Sequence, residues 1–214
     1  DARVKRVLAA KLWLGLDKYQ ATPQQNLYVD LHRASATQLI DELSNAAITA
    51  LNSTEKLKSF KKEVPTAIIN IGVSANQTFQ NDLAAALTNE TQYFVPDSLS
   101  KDEMKRLVKE IKKNKQYIIA VHDTRLRPRP TMQLNENVQD LMKKFAKKSI
   151  LTLFTNVYAL DGVEASKKAK TILLAYQNDA FMQKAAAKTI LGANIPTGKL
   201  PVTINKKFRY GQGK

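Results

Sequence analysis

The run Gln116-Tyr117-Ile118-Ile119-Ala120-Val121-His122-Asp123 decides the fold of this chain. Its successive apolar residues, with no polar alternation, predict a strand buried on both faces, and such strands belong to parallel sheets covered by helices. In open α/β sheets, ligands and partners are met at the carboxyl ends of the strands. We therefore expect a site, if the chain has one, at His122, Asp123 and the loop Thr124 to Asn135.

Helices and strands are predicted to alternate on both sides of this run. Ser100 and Glu103 form a capping-box pattern in front of a helix whose apolar residues recur on one side. Such alternation is the signature of right-handed βαβ units. We predict an α/β fold, a three-layer αβα sandwich with about six strands in a mostly parallel sheet. The expected strands lie near residues 64–71, 92–95, 117–121, 150–154 and 172–175, and the expected helices near 78–87, 101–113, 138–145 and 180–191.

Two further segments complete the predicted sandwich. Near the C-terminus, Leu200, Val202 and Ile204 alternate as in a half-buried strand. Because Pro201 cannot donate a ladder hydrogen bond, we expect this strand to lie at an edge of the sheet. Before the first strand, one long amphipathic helix is predicted from the helical spacing of Leu39, Ile40, Leu43, Ala47, Ile48 and Leu51.

Composition narrows the range of functions. The 214 residues carry a formal net charge of +15, and the sequence contains no cysteine. The basic residues lie mainly on polar faces of predicted helices, without interleaved aromatic residues, so we expect no specific nucleic-acid site. The charge predicts at most weak, sequence-independent attraction to polyanions. No apolar run approaches the roughly 20 residues that span a bilayer, so no membrane span is expected.

Several kinds of chemistry are poorly supported. The turn Gly72 to Asn76 contains one glycine, too few for a phosphate-binding loop, and Asp123 has no acidic companion at a neighbouring strand end. Two histidines without cysteine argue against a zinc site. The pair His122-Asp123 is a weak dyad because successive strand residues point to opposite faces, and a structural histidine is the more common outcome. We therefore expect no metal or cofactor in this chain, and the residues alone leave His122-Asp123 open as half of an acid/base pair.

Both ends of the chain resemble a known family. Val4-Lys-Arg-Val-Leu-Ala-Ala-Lys-Leu-Trp-Leu-Gly-Leu16 resembles the helix and linker that leave the catalytic barrel in family 3 glycoside hydrolases. Pro196-Thr-Gly-Lys-Leu-Pro-Val-Thr-Ile-Asn205, followed by Phe208-Arg-Tyr-Gly211, resembles the segment that closes their second domain. The connection Asn156-Val-Tyr-Ala-Leu160 also fits that α/β sandwich domain.

The resemblance implies hydrolysis of β-linked sugars by a retaining mechanism whose Asp nucleophile lies on the barrel. In the β-glucosidase branch, the acid/base Glu comes from the loop after the strand that matches Tyr117 to Val121. The loop from His122 to Asn135 contains no Glu in this sequence. This departure favours the β-N-acetylglucosaminidase branch, in which the barrel supplies a His-Asp pair for proton transfer. His122-Asp123 is not that pair.

The resemblance therefore implies an accessory domain, with residues 1–25 as helix and linker from a missing barrel and residues 26–214 as the sandwich. Its expected partners are the N-terminal (β/α)8 barrel of the same protein and, through it, a carbohydrate. The expected location is the periplasm or the outside of a bacterium. The alternative is a stand-alone module for an anionic glycan or nucleic acid. Candidates for the substrate rim or barrel interface are His122, Asp123, Arg125, Asn156 and Tyr158, beside an alternation of Arg125, Arg127 and Arg129 with Leu126, Pro128 and Pro130.

Overall fold

The computed structural model describes residues 1–21, 23–125 and 131–214. The chain divides into two compact units, residues 1–38 and residues 39–214. The first unit is helical, whereas the second contains the whole sheet and every candidate site residue. Among the described residues, no helix combines the length and apolar character needed to cross a membrane.

Helices and strands alternate along most of the chain. The α-helices are α1 (Ala2–Trp13), α2 (Leu27–Leu31), α3 (Ala34–Ala47), α4 (Glu55–Lys58), α5 (Thr78–Ala86), α6 (Lys101–Ile111), α7 (Glu136–Phe145) and α8 (Ala180–Ile190). The strands are β1 (Thr49–Asn52), β2 (Thr66–Ile71), β3 (Glu90–Val95), β4 (Gln116–His122), β5 (Ser149–Phe154) and β6 (Thr171–Leu174). Short 3-10 helices cover Leu16–Lys18, Val157–Gly162 and Glu164–Lys167. The predicted capping box is confirmed at α6, where the backbone N–H of Ser100 donates to Glu103 Oε2 at 2.9 Å.

The six strands form one sheet in the order β1-β6-β5-β4-β2-β3. Strands β2 to β6 are parallel, and β1 pairs antiparallel with β6. In the middle of the sheet, Ile119 of β4 lies opposite Ile69 of β2 and Leu151 of β5. Residues Ile118 to Val121 are completely buried, as expected for a strand covered on both faces. The predicted α/β fold with a six-stranded, mostly parallel sheet is therefore confirmed.

Helices cover both faces of this sheet. The helix α5 connects β2 to β3, towards one edge of the sheet, whereas α6 and α7 connect β3 to β4 and β4 to β5, in the opposite direction. Because such crossovers are right-handed, α5 lies on the face opposite α6 and α7. Two core clusters follow from this arrangement. Met104 of α6 and Leu141 of α7 belong to one cluster, whereas Phe79 of α5 and Ala186 of α8 belong to the other. The sheet thus separates two helical layers, as in the predicted sandwich.

The predicted long helix ends before its apolar stripe does. α3 ends at Ala47, and the next residues form β1, so the helical prediction for Ile48 and Leu51 is wrong. Ile48 and Ala50 are completely buried. A short run buried on all sides satisfies both helical and strand spacing, and its hydrogen-bonded neighbour β6 determines which forms.

The prediction that residues 200–204 form the edge strand is also wrong. Leu200 N donates to Gln212 O at 2.7 Å, and Ile204 N donates to Phe208 O at 2.9 Å, so this segment bonds to its own continuation. The antiparallel edge strand is β1. The C-terminal segment still contacts that edge, because Gly198 N donates to Ile48 O and Lys214 N to Ala50 O, each at 3.0 Å. Leu200 and Phe208 are buried in the core.

Candidate functional site

The loops after β4, β5 and β6 meet at the carboxyl edge of the sheet. They line a cleft of about 730 Å³ whose walls include Asp123, Asn156 and Asn178. A second cleft of about 520 Å³ extends to Gly72, at the end of β2, and shares Asp123 and Arg125 with the first. The edge at which the sequence predicts ligands or partners therefore has a concave surface.

His122 ends β4 and has a fixed partner on each ring nitrogen. Its Nδ1 lies 2.8 Å from Asn178 Oδ1, which can only accept, and its Nε2 lies 2.9 Å from Gln80 Nε2, which can only donate. The histidine therefore carries its proton on Nδ1 and accepts on Nε2. Gln80 cannot reverse its amide without loss, because its Oε1 accepts from Gln77 N at 3.0 Å.

Around His122, buried amides form a network that joins four elements of the fold. Gln80 Nε2 also donates to Asn70 Oδ1 at 2.8 Å, which connects α5 to β2. On the other side, Gln183 Nε2 donates to Asn178 Oδ1 at 2.9 Å, and Gln183 Oε1 accepts from Phe79 N at 3.1 Å. A satisfied buried polar network of this kind specifies one arrangement of the surrounding elements.

The surroundings of His122 favour its neutral form. Burial lowers the pKa of His122 from 6.5 to about 4, although the hydrogen bond to Asn178 acts in the opposite direction. The aromatic ring of Phe154 stacks on the imidazole with 4.5 Å between ring centroids. At neutral pH the side chain is therefore an uncharged structural group, as the sequence suggests for a histidine at the end of a buried strand.

Asp123 is held by Arg125 and Thr155. Arg125 Nε donates to Asp123 Oδ1 at 2.8 Å and Arg125 Nη2 donates to Oδ2 at 2.7 Å, while Thr155 Oγ1 donates to Oδ2 at 2.9 Å. The hydrogen bonds from Arg125 lower the pKa of Asp123; burial opposes this, and Thr155 reinforces it. Asp123 is therefore an ionised carboxylate whose two oxygens are both occupied.

The other two candidate residues lie on the loop after β5. Asn156 Oδ1 accepts from Tyr158 N at 3.0 Å and so caps the 3-10 helix that follows. Asn156 also lines the larger cleft. The Tyr158 side chain is exposed, and neither residue is hydrogen-bonded to His122 or Asp123. The structure thus brings Asp123, Arg125 and Asn156 together at the larger cleft. His122 is buried, and Tyr158 is exposed.

Sequence reasoning missed the amides that fix His122, namely Asn70, Gln80, Asn178 and Gln183. The feature that could have identified Gln80 is a polar side chain among the apolar residues of a helix, since Gln80 directly follows the buried Phe79. Asn178 lies two residues after Tyr176, which adopts a left-handed φ of 57°. A non-glycine residue in that region cannot be anticipated from spacing alone.

The alternating segment Leu126, Arg127, Pro128, Arg129 and Pro130 lies outside the described residues. Across the described ranges, which omit residue 22 and residues 126–130, no group of three or more His, Asp or Glu side chains is arranged to hold a metal ion.

Comparison with solved structures gives the same fold. A family 3 β-N-acetylglucosaminidase from Paenibacillus sp. str. FPU-7 aligns with a TM-score of 0.67 at 17% identity, over 94% of this chain and 39% of that one. The β-glucoside phosphorylase BglX bound to 2FGlc has a TM-score of 0.71 at 17% identity, over 93% and 37%. A Listeria innocua β-glucosidase with isofagomine has a TM-score of 0.71 at 16% identity, over 94% and 32%.

At identities of 16% to 17%, the similarity to these structures shows a shared fold. This chain spans only 32% to 39% of the length of the three solved chains. Among curated proteins, none matches the sequence significantly. A family model described as the glycosyl hydrolase family 3 C-terminal domain matches residues 13–212, nearly the whole chain. The chain therefore belongs to the family of glycosyl hydrolase family 3 C-terminal domains.

Proposed function

We propose that this chain is the accessory domain of a family 3 glycosidase of the β-N-acetylglucosaminidase type, whose catalytic residues lie on a separate N-terminal barrel. In this proposal the carboxyl edge of the sheet borders the substrate rim or the barrel interface. His122, Asp123, Arg125, Asn156 and Tyr158 act there as supporting residues, and none of them transfers a proton to or from the sugar.

The hydrogen bonds from Arg125 and Thr155 to Asp123 are the main observation in support of this proposal. A retaining glycosidase needs a carboxyl group that gives and takes a proton beside the glycosidic oxygen. The Asp123 carboxylate accepts from Arg125 and Thr155, and its pKa is lowered, so it is a poor proton donor. The loop from His122 to Asn135 contains no Glu that could take the role. An acid/base group supplied by the barrel is the consistent alternative.

His122 supports the same conclusion. Both of its ring nitrogens are occupied by Gln80 and Asn178, and its side chain is almost completely buried. A general acid or base must come within hydrogen-bond reach of the proton that it transfers. With a pKa of about 4, His122 also lies far from protonation at neutral pH.

The proposal is tested by comparing this chain with a longer protein that carries the barrel. Aryl N-acetyl-β-glucosaminide and aryl β-glucoside are supplied to both proteins, and kcat/KM is measured. The chain alone is expected to show only the buffer rate. The longer protein is expected to hydrolyse the amino sugar with a kcat/KM at least about tenfold above that for the glucoside, since a site built for the acetamido group rejects its absence.

Two outcomes contradict the proposal. One is turnover by the isolated chain that disappears when Asp123 is replaced by Asn. The other is a longer protein that prefers the glucoside, which would leave the accessory role intact and remove the proposed substrate type.

A further inference from the structure

The positive charge of this protein is concentrated on one helical layer. We define the basic layer as residues 101–115, 136–148, 161–170 and 200–209. These ranges include α6, α7, the end of the second 3-10 helix, the whole third 3-10 helix and part of the C-terminal segment. Apolar residues of all four segments belong to the same core cluster, so the segments cover the same face of the sheet. These segments contain 17 lysines and arginines against seven acidic residues, within a chain of net charge +15.

The opposite layer is electrically balanced. Its segments, residues 39–47, 53–63, 77–88 and 179–191, include α4, α5, α8 and most of α3. They contain six basic and six acidic residues. A solvated basic surface with no further role would not require this division, because lysines stabilise the polar face of a helix equally well on either side of a sheet.

Acidic residues of the basic layer are engaged by near neighbours. Asp102 pairs with Lys105, and Glu164 pairs with Lys167, at 3.0 Å in both cases. Other bases of the layer are exposed and form no ion pair with any described residue; these include Arg106, Lys109, Lys112, Lys144, Lys147 and Lys148. The layer thus offers an excess of cations to an external anion.

The residue types distinguish between possible polyanions. Of the 17 basic residues, 15 are lysines, which are flexible point charges, and two are arginines, which make the bidentate contacts that read bases. The two aromatic residues in these segments, Phe145 and Phe208, are buried in the core, and Tyr210, which directly follows the last segment, is an exposed ring. Nucleic-acid surfaces need exposed rings for stacking or arginines for base edges. A surface with many lysines, few arginines and few exposed rings is typical of adsorption to anionic lipid.

We propose that the basic layer is a docking surface for the anionic phospholipid headgroups of a bilayer. Lysines of α6 and α7, which pack side by side, approach the headgroups together, and their attractions add within a Debye length of the surface. No part of the chain enters the hydrocarbon in this arrangement. Binding of this kind is independent of the proposed glycosidase activity, because it depends on the charges and residue types of the basic layer.

Vesicle co-sedimentation of the 214-residue protein tests this surface. The vesicles are phosphatidylcholine with or without about 40% phosphatidylglycerol, at about 100 mM and about 500 mM salt. We expect binding to the anionic vesicles only, with most of it lost at the higher salt. A variant with Arg106, Lys109, Lys144 and Lys147 all changed to Glu is expected to bind at least about tenfold more weakly.

The matched control changes Lys58, Lys61, Lys62 and Lys184 to Glu on the balanced layer, which gives the same net charge. All four residues are exposed, and this control is expected to bind within about threefold of the wild type. Thermal melts establish that both variants fold. Equal losses in the two variants, or no binding of the wild type to anionic vesicles, would overturn the proposal. Tighter binding to duplex DNA than to vesicles at equal anionic charge would overturn it in favour of nucleic acid.

Discussion

His122 is uncharged in the folded protein because its environment leaves no place for a second proton. A proton on Nε2 would face the amide nitrogen of Gln80, and turning that amide would break the bond from Gln77 N to Gln80 Oε1. The lowered pKa of about 4 has the same origin in burial. The residue acts through the positions of Gln80 and Asn178, and therefore through the arrangement of α5 and the loop before α8.

Stability is expected to depend on pH through His122. The unfolded chain takes up this proton near the ordinary pKa of 6.5, whereas the folded chain does so near 4. The stabilisation is therefore fully present above pH 6.5 and is lost as the pH falls towards 4. Between pH 7 and pH 5, the free energy of unfolding is expected to fall by about 2 kcal/mol more in the wild type than in His122→Asn.

Chemical denaturation at several pH values measures this difference. His32 is exposed, and His32→Asn provides the matched substitution for comparison. An unchanged pH dependence in His122→Asn would show that the buried histidine titrates no differently in the folded and unfolded chains.

Whole secondary-structure elements were predictable where one period extends over many residues. The buried runs of β4 and β5 and the stripe of α6 follow from spacing, because burial on two faces or one face imposes those patterns. Spacing did not predict the four residues of β1, because so short a run fits both the helical and the strand period. The role of the C-terminal segment depends on Leu200 bonding to Gln212, a contact that spacing does not specify.

The turn between β2 and α5 can be tested with Gly72. Its φ of 83° is left-handed, and a Cβ there would lie 2.1 Å from the carbonyl oxygen of His122. That carbonyl cannot retreat easily, because His122 is the last residue of β4 and pairs with Phe154 of β5. Gly72→Ala is therefore expected to lower the free energy of unfolding by about 3 kcal/mol, from backbone strain and steric overlap together.

Gly192 is the matched control for this substitution. Its φ of 79° is similar, but a Cβ there would meet no atom within 4 Å. Gly192→Ala is expected to cost about 1 kcal/mol, from backbone strain alone. Urea unfolding of both variants measures the comparison, and equal costs would mean that the contact with His122 contributes nothing.

At the scale of the molecule, the sheet lies between two helical layers that differ in charge, and the carboxyl ends of its strands form a third, polar surface. One helical layer carries an excess of ten positive charges and the other is balanced, while the carboxyl edge presents the clefts around Asp123. The sequence indicated the edge, because parallel strands end there together. It did not indicate the charge asymmetry, since the side of the sheet on which each helix lies follows from the strand order β4-β2-β3.

Arg125 allows the stability of this domain to be separated from its proposed role at a substrate rim. The Asp123 side chain is 1% exposed and that of Arg125 is 38% exposed. Arg125→Ala leaves a buried carboxylate without its cation, and we expect a cost of about 2 kcal/mol, less than for a fully buried pair because water reaches the guanidinium. Arg125→Ala combined with Asp123→Asn removes the charge as well and is expected to regain at least half of the lost stability.

The same two variants, made in a longer protein with the barrel, distinguish the two roles. If Arg125 contacts the rim or the barrel, the double variant is expected to regain thermal stability while its kcat/KM stays about tenfold below that of the wild type. If Arg125 serves only to hold Asp123, thermal stability and kcat/KM are expected to recover together in the double variant. The only function of the guanidinium would then be to neutralise the carboxylate. Joint recovery therefore eliminates the proposed rim role while leaving the assignment of the fold unchanged, since that assignment rests on the sheet and on the family match over residues 13–212.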